Sequence, residues 1–249
     1  MKAGRVSRTA EAAAALRANH HLNAYDPVFS DEYAYAMTNA RWRLLLNNSL
    51  FRKTMNSSFM NKNLGKLTGQ VVGRSRYSED LLQQTIENNH LQQYVIVGAG
   101  LDSFVLRLAE HYPQLKIFEV DHPDTQKTKI EKLKQISKSK QLPANVEFVS
   151  IDFEKEKLSD ALLRSTYDTK IPAFFSWLGT THYLHPETTL ATLQNIASFA
   201  GSKSEIVMDY SVDYKALKGL ERVGAQFVVQ FTRFMKEPLL GAFMPKVLH

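Results

Sequence analysis

The chain contains no cysteine, which excludes disulfides, thiolate metal sites and a cysteine nucleophile. No apolar run approaches the roughly 18 residues that a membrane-spanning helix requires. The opening Met1-Lys-Ala-Gly-Arg lacks the apolar stretch of a secretory signal. No internal repeat or low-complexity segment occurs, and the expected location is the cytoplasm. Within 249 residues, 44% of them hydrophobic, there is enough apolar material for one large α/β domain with its own core. The net charge of +6 invites a nucleic-acid reading. Its main local source is Lys127, Lys129, Lys132, Lys134, Lys138 and Lys140, on a segment whose Ile130, Leu133 and Ile136 form an apolar stripe. No aromatic residue is interleaved there as a base-stacking platform would need, so a solvated helix face is expected, and neither nucleic acid nor membrane is expected as a partner.

The most informative stretch is Tyr94 to Asp121. A β-branched run, Val95-Ile96-Val97, leads into a turn on Gly98 and Gly100, then a helix-like segment with Leu101, Val105 and Leu108 on one face, then a second apolar run, Ile117 to Val120, closed by Asp121. Glycine lets the backbone turn sharply and lets a ligand come close, and the following helix N-terminus is expected to face the same spot. Asp121, 23 residues after Gly98, is placed to accept hydrogen bonds from a ribose diol. A dinucleotide fingerprint requires a third glycine at 103, where this chain has Ser103. A ligand with a ribose and no pyrophosphate fits better.

These residues, VIVGAGLDSFVLRL followed by FEVDHP, resemble the S-adenosylmethionine site of the leucine carboxyl methyltransferase family, including its bacterial branch of small-molecule O-methyltransferases. The resemblance implies S-adenosyl-L-methionine as cofactor, with Gly98, Ala99, Gly100 and Asp121 around it. It extends over most of the chain. Ser7, Thr9, Ala10, Arg17 and Ala18, then Asp31, Glu32, Tyr33 and Ala34, match the family's opening. Residues 7–25 read as an alanine-rich helix ending near Asp26-Pro27. Residues 30–59 read as helical, with Tyr33, Met37, Trp42, Leu45, Leu46 and Phe51 as apolar positions, whereas 61–73 are polar and glycine-punctuated and suggest a loop. The adjacent His20 and His21 cannot share a helix face as metal ligands, and no metal is expected.

Ser78 reads as the N-cap of a helix carrying Leu81, Leu82, Thr85 and Ile86 inward. Arg74 and Arg76 lie 24 and 22 residues ahead of Gly98. The family places here an arginine that holds the carboxylate of the methionine moiety, and the spacing favours Arg74. The strand 145–151 delivers Asp152-Phe153 to the same sheet edge. The resemblance implies that the acid reaches the adenine amino group and the neighbour covers the ring; a solvated loop aspartate is the alternative. In the strand 171–177 and the continuation Leu178-Gly-Thr-Thr-His-Tyr-Leu, Leu178 stands where the leucine carboxyl methyltransferases carry a glutamate, so that contact is not carried over. Trp177 and Tyr183 are either packing residues or aromatic neighbours of the sulfonium. His182 is the one nearby candidate for a general base, with Tyr183 as a second weak catalytic candidate; a carboxylate acceptor needs no base.

Pro186 starts a helix that Gly201 closes, and 204–210 is a fifth strand. Strands alternating with helices predict a doubly wound, Rossmann-like parallel sheet of the class I methyltransferase type with an N-terminal helical cap. The expected organisation is one domain over 1–249, with the cap in 1–90 and the core in 91–249. The expected function is S-adenosylmethionine-dependent O-methylation of a carboxylate or hydroxyl on a small molecule. A non-catalytic cofactor-binding homologue and a nicotinamide-dependent oxidoreductase remain open, the latter opposed by Ser103 and by the lack of a Tyr-x-x-x-Lys pair. The family closes its sheet in the order 3-2-1-4-5-7-6, yet after a helix over 213–235 few residues remain. A missing strand hairpin and a truncated product are therefore expected, with an apolar strand edge through which the chain dimerises, or else aggregation or reduced activity.

Overall fold

The computed structural model describes residues 7–89, 91–137, 141–234 and 238–244. In chain order it forms α1 (Arg8–Asn23), α2 (Ala34–Met37), α3 (Ala40–Asn47), α4 (Ser49–Met55), α5 (Ser58–Asn89), β1 (Gln93–Val97), α6 (Phe104–Arg107), β2 (Lys116–Asp121), α7 (Pro123–Ile136) and β3 (Val146–Ser150). There follow α8 (Leu158–Leu162), β4 (Ala173–Trp177), α9 (Pro186–Phe199), β5 (Glu205–Met208), β6 (Ser211–Val212), α10 (Gly219–Phe234) and β7 (Ala242–Phe243).

The first five strands form a parallel sheet in the order β3-β2-β1-β4-β5. Alternate side chains point to opposite faces, as the period of a strand dictates. Val95, Val97, Phe118, Val120, Phe175 and Trp177 build one apolar core, while Tyr94, Ile96, Ile117 and Phe174 build the other. Where Tyr94 and Ser176 meet in the second core their hydroxyls hydrogen-bond at 2.8 Å. The strand order reverses direction between β1 and β4, which puts the ligand crevice outside the C-terminal ends of those two strands.

The N-terminal third departs from its sequence reading in three ways. Residues 30–59 are broken into three short helices, two of them capped by the side chains of Asn39 and Asn48. Residues 61–73 are not a loop but part of the 32-residue helix α5. Its inward stripe is Val71, Ser75, Ser78, Leu82 and Thr85, a helical spacing in which small hydroxyl residues hide the apolar period. Ser78 is consequently buried in the middle of α5 and is not an N-cap.

The lysine-rich helix also differs. Its buried face is Thr125, Gln126, Lys129 and Leu133, and Lys129 is 1% exposed. Its Nζ lies 2.7 Å from the buried Glu119 carboxylate of β2. Lys127 and Lys134 do face solvent, and Lys132 reaches the Thr38 carbonyl at 3.0 Å. Lys138 and Lys140 lie outside the described residues. Pro123 and Pro186 occupy the first turns of α7 and α9 as expected.

At the far edge, β5 pairs with β4 alone among the described residues. The segment expected as one helix over 213–235 is a short 3₁₀ turn at Tyr214–Ala216 followed by α10. The chain then returns: β7 pairs in parallel with β6, just past the end of β5, and the amides of Leu240 and Gly241 donate to the His182 carbonyl at 2.8 and 3.0 Å. No described helix is long and apolar enough to cross a membrane.

Candidate functional site

The glycine turn after β1 is fixed by its neighbour strand. Gly98 and Ala99 both donate their amides to the Val120 carbonyl, at 2.8 and 3.1 Å, and Gly100 donates to Asp121 Oδ2. Gly98 and Gly100 have φ of 69° and 50°, the left-handed region that favours glycine. A Cβ on Gly98 would overlap Thr180 Oγ1 across the crevice. Three successive amides that a phosphate-binding loop would leave free are thus committed to the end of β2. The expected helix N-terminus is weak as well: α6 has four residues, and its Phe104 amide is capped by Asp102 Oδ1 at 2.7 Å. The turn therefore lacks the free amides of a pyrophosphate-binding loop, and the side-chain directions of Gly98 and Gly100 face Thr180 and Ala10.

Asp121 sits beside this turn, its second oxygen accepting the His122 amide at 2.6 Å. Burial pushes its carboxyl up, held back by the two backbone donors, Lys129 and His122. Asp152 and Phe153 follow β3 at the same edge. Asp152 is paired with Lys155 at 2.7 Å, and this bond first, over the opposing effect of burial, holds its carboxyl below the usual range. Phe153 is stacked on Trp177, centroids 6.2 Å apart at 22°. Trp177 is wholly buried in the core, so of the two roles open to it the structure assigns packing.

Arg74 reaches the crevice from α5. Its Nη1 donates to Asp209 Oδ2 at 2.7 Å, and its guanidinium lies so close to Gly179 that a Cβ there would come within 2.5 Å of Nη2. Arg76 points elsewhere, to Asp80 one turn on at an exposed position. Asp209, just past β5, is the residue that sequence reasoning missed. Besides Arg74 it accepts the Gly179 amide at 2.6 Å and lies 3.3 Å from His182 Nε2. Burial works against its ionised form, but the His182 hydrogen bond, the Arg74 and His182 charges and the Gly179 amide hold its carboxyl well below the usual range. Leu178 leaves the end of β4 without an acid, and Asp209 brings one to the same edge from β5. The neighbouring Thr181 hydroxyl donates to the Asp209 carbonyl at 2.6 Å. His182 is 7% exposed, its ring satisfied by side chains: Asp209 on Nε2 and Ser211 Oγ, 2.7 Å away, on Nδ1. Tyr183 packs edge-on against His182, centroids 6.3 Å apart.

A second cluster lies behind the turn. Arg17 of α1 binds Asp31 at 2.9 Å and the Leu101 carbonyl at 2.7 Å. Ser103, the residue in place of a third glycine, donates to Asp31 at 2.6 Å and accepts from Arg107 Nε at 2.8 Å. Arg107 in turn forms a two-pronged pair with Glu79 of α5 and lies over the Phe29 ring, 4.8 Å from its centroid. The N-terminal helices are therefore tied to the glycine turn through one buried ionic network. Among the described residues no group of three or more His, Asp or Glu side chains is arranged to hold a metal ion.

The parallel sheet with its ligand edge at β1 and β4 is the Rossmann-like arrangement of the methyltransferases. A solved structure described as a "putative methyltransferase" from Thermobifida fusca YX superposes over 99% of this chain and 79% of its own, with TM-score 0.62 and 16% identity. A DUF574 family protein from Streptomyces avermitilis MA-4680 does so over 92% of this chain and 77% of its own, with TM-score 0.59 and 11% identity. Residues 10–197 match the leucine carboxyl methyltransferase family, and the chain belongs to it. YktD of Bacillus subtilis (strain 168), named a "Putative S-adenosyl-L-methionine-dependent methyltransferase", is 37% identical over 147 residues, 59% of this chain and 47% of its own length. A Mycolicibacterium vanbaalenii protein of the same description is 25% identical over 144 residues, 58% of this chain and again 47% of its own. The chain thus spans about half the length of the curated relatives that it matches.

Proposed function

We propose that the protein is an S-adenosylmethionine-dependent O-methyltransferase acting on a carboxylate or hydroxyl of a small molecule. The observation that carries this reading is the glycine turn. Its amides are spent on Val120 and Asp121, which disfavours a dinucleotide, while the half-buried Asp121 beside it is suited to a ribose diol. Family membership and the names of the relatives support the same cofactor. Asp121 would hold the ribose, Gly98 to Gly100 would line it, and Asp152 and Phe153 would meet the adenine. Arg74 would hold the cofactor's carboxylate by a planar two-pronged contact while keeping its pairing with Asp209. The bound sulfonium supplies an already activated methyl group, which leaves orientation and water exclusion to the chain.

Titration calorimetry with S-adenosylhomocysteine, with NAD as the comparison, tests this reading. Binding of the first alone is expected. Binding of NAD alone would replace it with a nicotinamide-dependent activity.

A further inference from the structure

His182 is buried, and both of its ring nitrogens already have partners. It cannot itself touch an acceptor without rearrangement, yet its two partners are chemically unlike. Asp209 is held ionised by Arg74 and the Gly179 amide, so it can only accept, and His182 Nε2 must therefore carry the proton that it accepts. That leaves Nδ1 bare and able to accept from Ser211 Oγ at 2.7 Å. The result is a directional chain from Ser211 through the imidazole to a fixed carboxylate. Its far end, Ser211, is half-buried where the imidazole is buried, and its oxygen keeps lone pairs free for a further donor.

We infer that Ser211, His182 and Asp209 form a proton-accepting chain at the edge of the methyl-donor site, and that the acceptor is a hydroxyl compound, with Ser211 as the residue that touches it. This rests on the proposed methyl transfer and narrows its acceptor, since a carboxylate is already ionised and gains nothing from such a chain. In the step, the acceptor's O–H proton passes to Ser211 Oγ as the serine's own proton passes to His182 Nδ1. The acceptor oxygen uses the freed electron pair to bond the methyl carbon, and the pair of the broken S–C bond stays on sulfur, neutralising the sulfonium. The imidazolium so formed faces the Asp209 carboxylate, with the Arg74 charge behind that carboxylate, Tyr183 on its own turn and, among the described residues of the returning segment, the Leu240 and Gly241 backbone. His182 and Asp209 are then positioning residues, acting through Ser211.

The tautomer is the first readout and needs no cofactor. In the full chain labelled with ¹⁵N-histidine, NMR is expected to show His182 as the Nε2–H form, with Ser211→Ala shifting its Nδ1 signal. A neutral Nδ1–H form would overturn the chain, because His182 would then donate to Ser211 and take nothing from it. The second readout uses labelled S-adenosylmethionine with a panel of phenols, aliphatic alcohols and carboxylic acids. Ser211→Ala is expected to lower transfer to the hydroxyl compounds by about 10²-fold or more, with S-adenosylhomocysteine affinity kept within about twofold. His182→Gln is expected to flatten the pH profile of the same transfer. Transfer to carboxylic acids alone, unchanged by Ser211→Ala, would sink the inference while leaving methyl transfer standing. Loss of S-adenosylhomocysteine binding by the unaltered protein would instead sink the methyltransferase reading.

Discussion

Arg74 and Asp209, 135 residues apart in the chain, meet in an ion pair of 2.7 Å that ties the middle of α5 to the end of β5. The pair is mostly shielded from water, with side-chain exposures of 19% and 15%, and the proposed function gives its guanidinium the cofactor's carboxylate. Arg74→Lys is expected to weaken S-adenosylhomocysteine binding by about tenfold although the charge is kept, because a point charge cannot replace the planar fork. Arg76→Lys is expected to change nothing, since Arg76 pairs with Asp80 on the exposed face of the helix. Calorimetry on the two variants decides; a larger effect at Arg76 would remove Arg74 from the site.

Asp121→Ala should weaken the same ligand by roughly 1.5 to 3 kcal/mol, the scale of losing hydrogen bonds to a charged group. Gly98→Val should be worse and should also cost stability, since its φ of 69° and the nearness of Thr180 leave no room for a side chain. A folded Asp121→Ala protein with unchanged affinity would remove the ribose role.

How much of this was legible in the sequence follows from the range of the interactions. Strands, glycine turn and terminal acid are written in one contiguous stretch, where a period of two and two glycines suffice. Asp209 is not, because nothing local to Met208-Asp209-Tyr210 announces a partner on α5; only the closed sheet brings Arg74 to it. The α5 loop error has a local cause: Gly65, Gly69 and Gly73 read as breakers, while Ser75, Ser78 and Thr85 masked the apolar stripe. The helix runs on through these positions despite a propensity penalty of about 1 kcal/mol per glycine, and its buried stripe among the described residues starts at Val71. Lys129 was misread because a lysine in an amphipathic pattern counts as polar, although its long stem lets the ammonium reach an acid inside.

The buried network around Ser103 makes a stability prediction. Asp31 has no exposed side-chain surface, and it accepts from Arg17 and Ser103 with Arg107 at 3.8 Å. Asp31→Asn leaves two buried guanidinium groups short of their counter-charge. A loss of roughly 3 to 5 kcal/mol in denaturant unfolding is expected. A loss under about 1 kcal/mol would show that the cap is not anchored through these charges.

Glu119 predicts a pH dependence. Burial pushes its carboxyl up from 4.5 to about 7, against the pull of Lys129. A group whose folded value is raised contributes stability that is fully present below its unfolded value and is lost as the pH rises through the folded one. Stability should therefore decline between about pH 4.5 and pH 7 by up to roughly 3 kcal/mol relative to Glu119→Gln, which cannot titrate. Parallel pH profiles for the two proteins would contradict this.

The last prediction concerns β5. Its Glu205–Met208 backbone bonds to β4 on one side, Ile206 is 38% exposed, and among the described residues no strand covers the other side. The returning segment does not do so: Ala242 and Phe243 pair with Ser211 and Val212 beyond the strand, and Leu240 and Gly241 bond to His182. At its start the strand is also held from α5, where Thr85 Oγ1 donates to Glu205 at 3.2 Å, so the edge is presented in fixed geometry. A fixed, partly apolar row of unpaired amides and carbonyls is a template for another strand, and a second copy of this chain supplies one of matching length. We expect light scattering to show a concentration-dependent dimer that Ile206→Lys weakens, with hydrogen exchange at 205–208 slowing as the concentration rises. A monomer at every concentration, with those amides strongly protected, would mean that other parts of the chain already cover the edge.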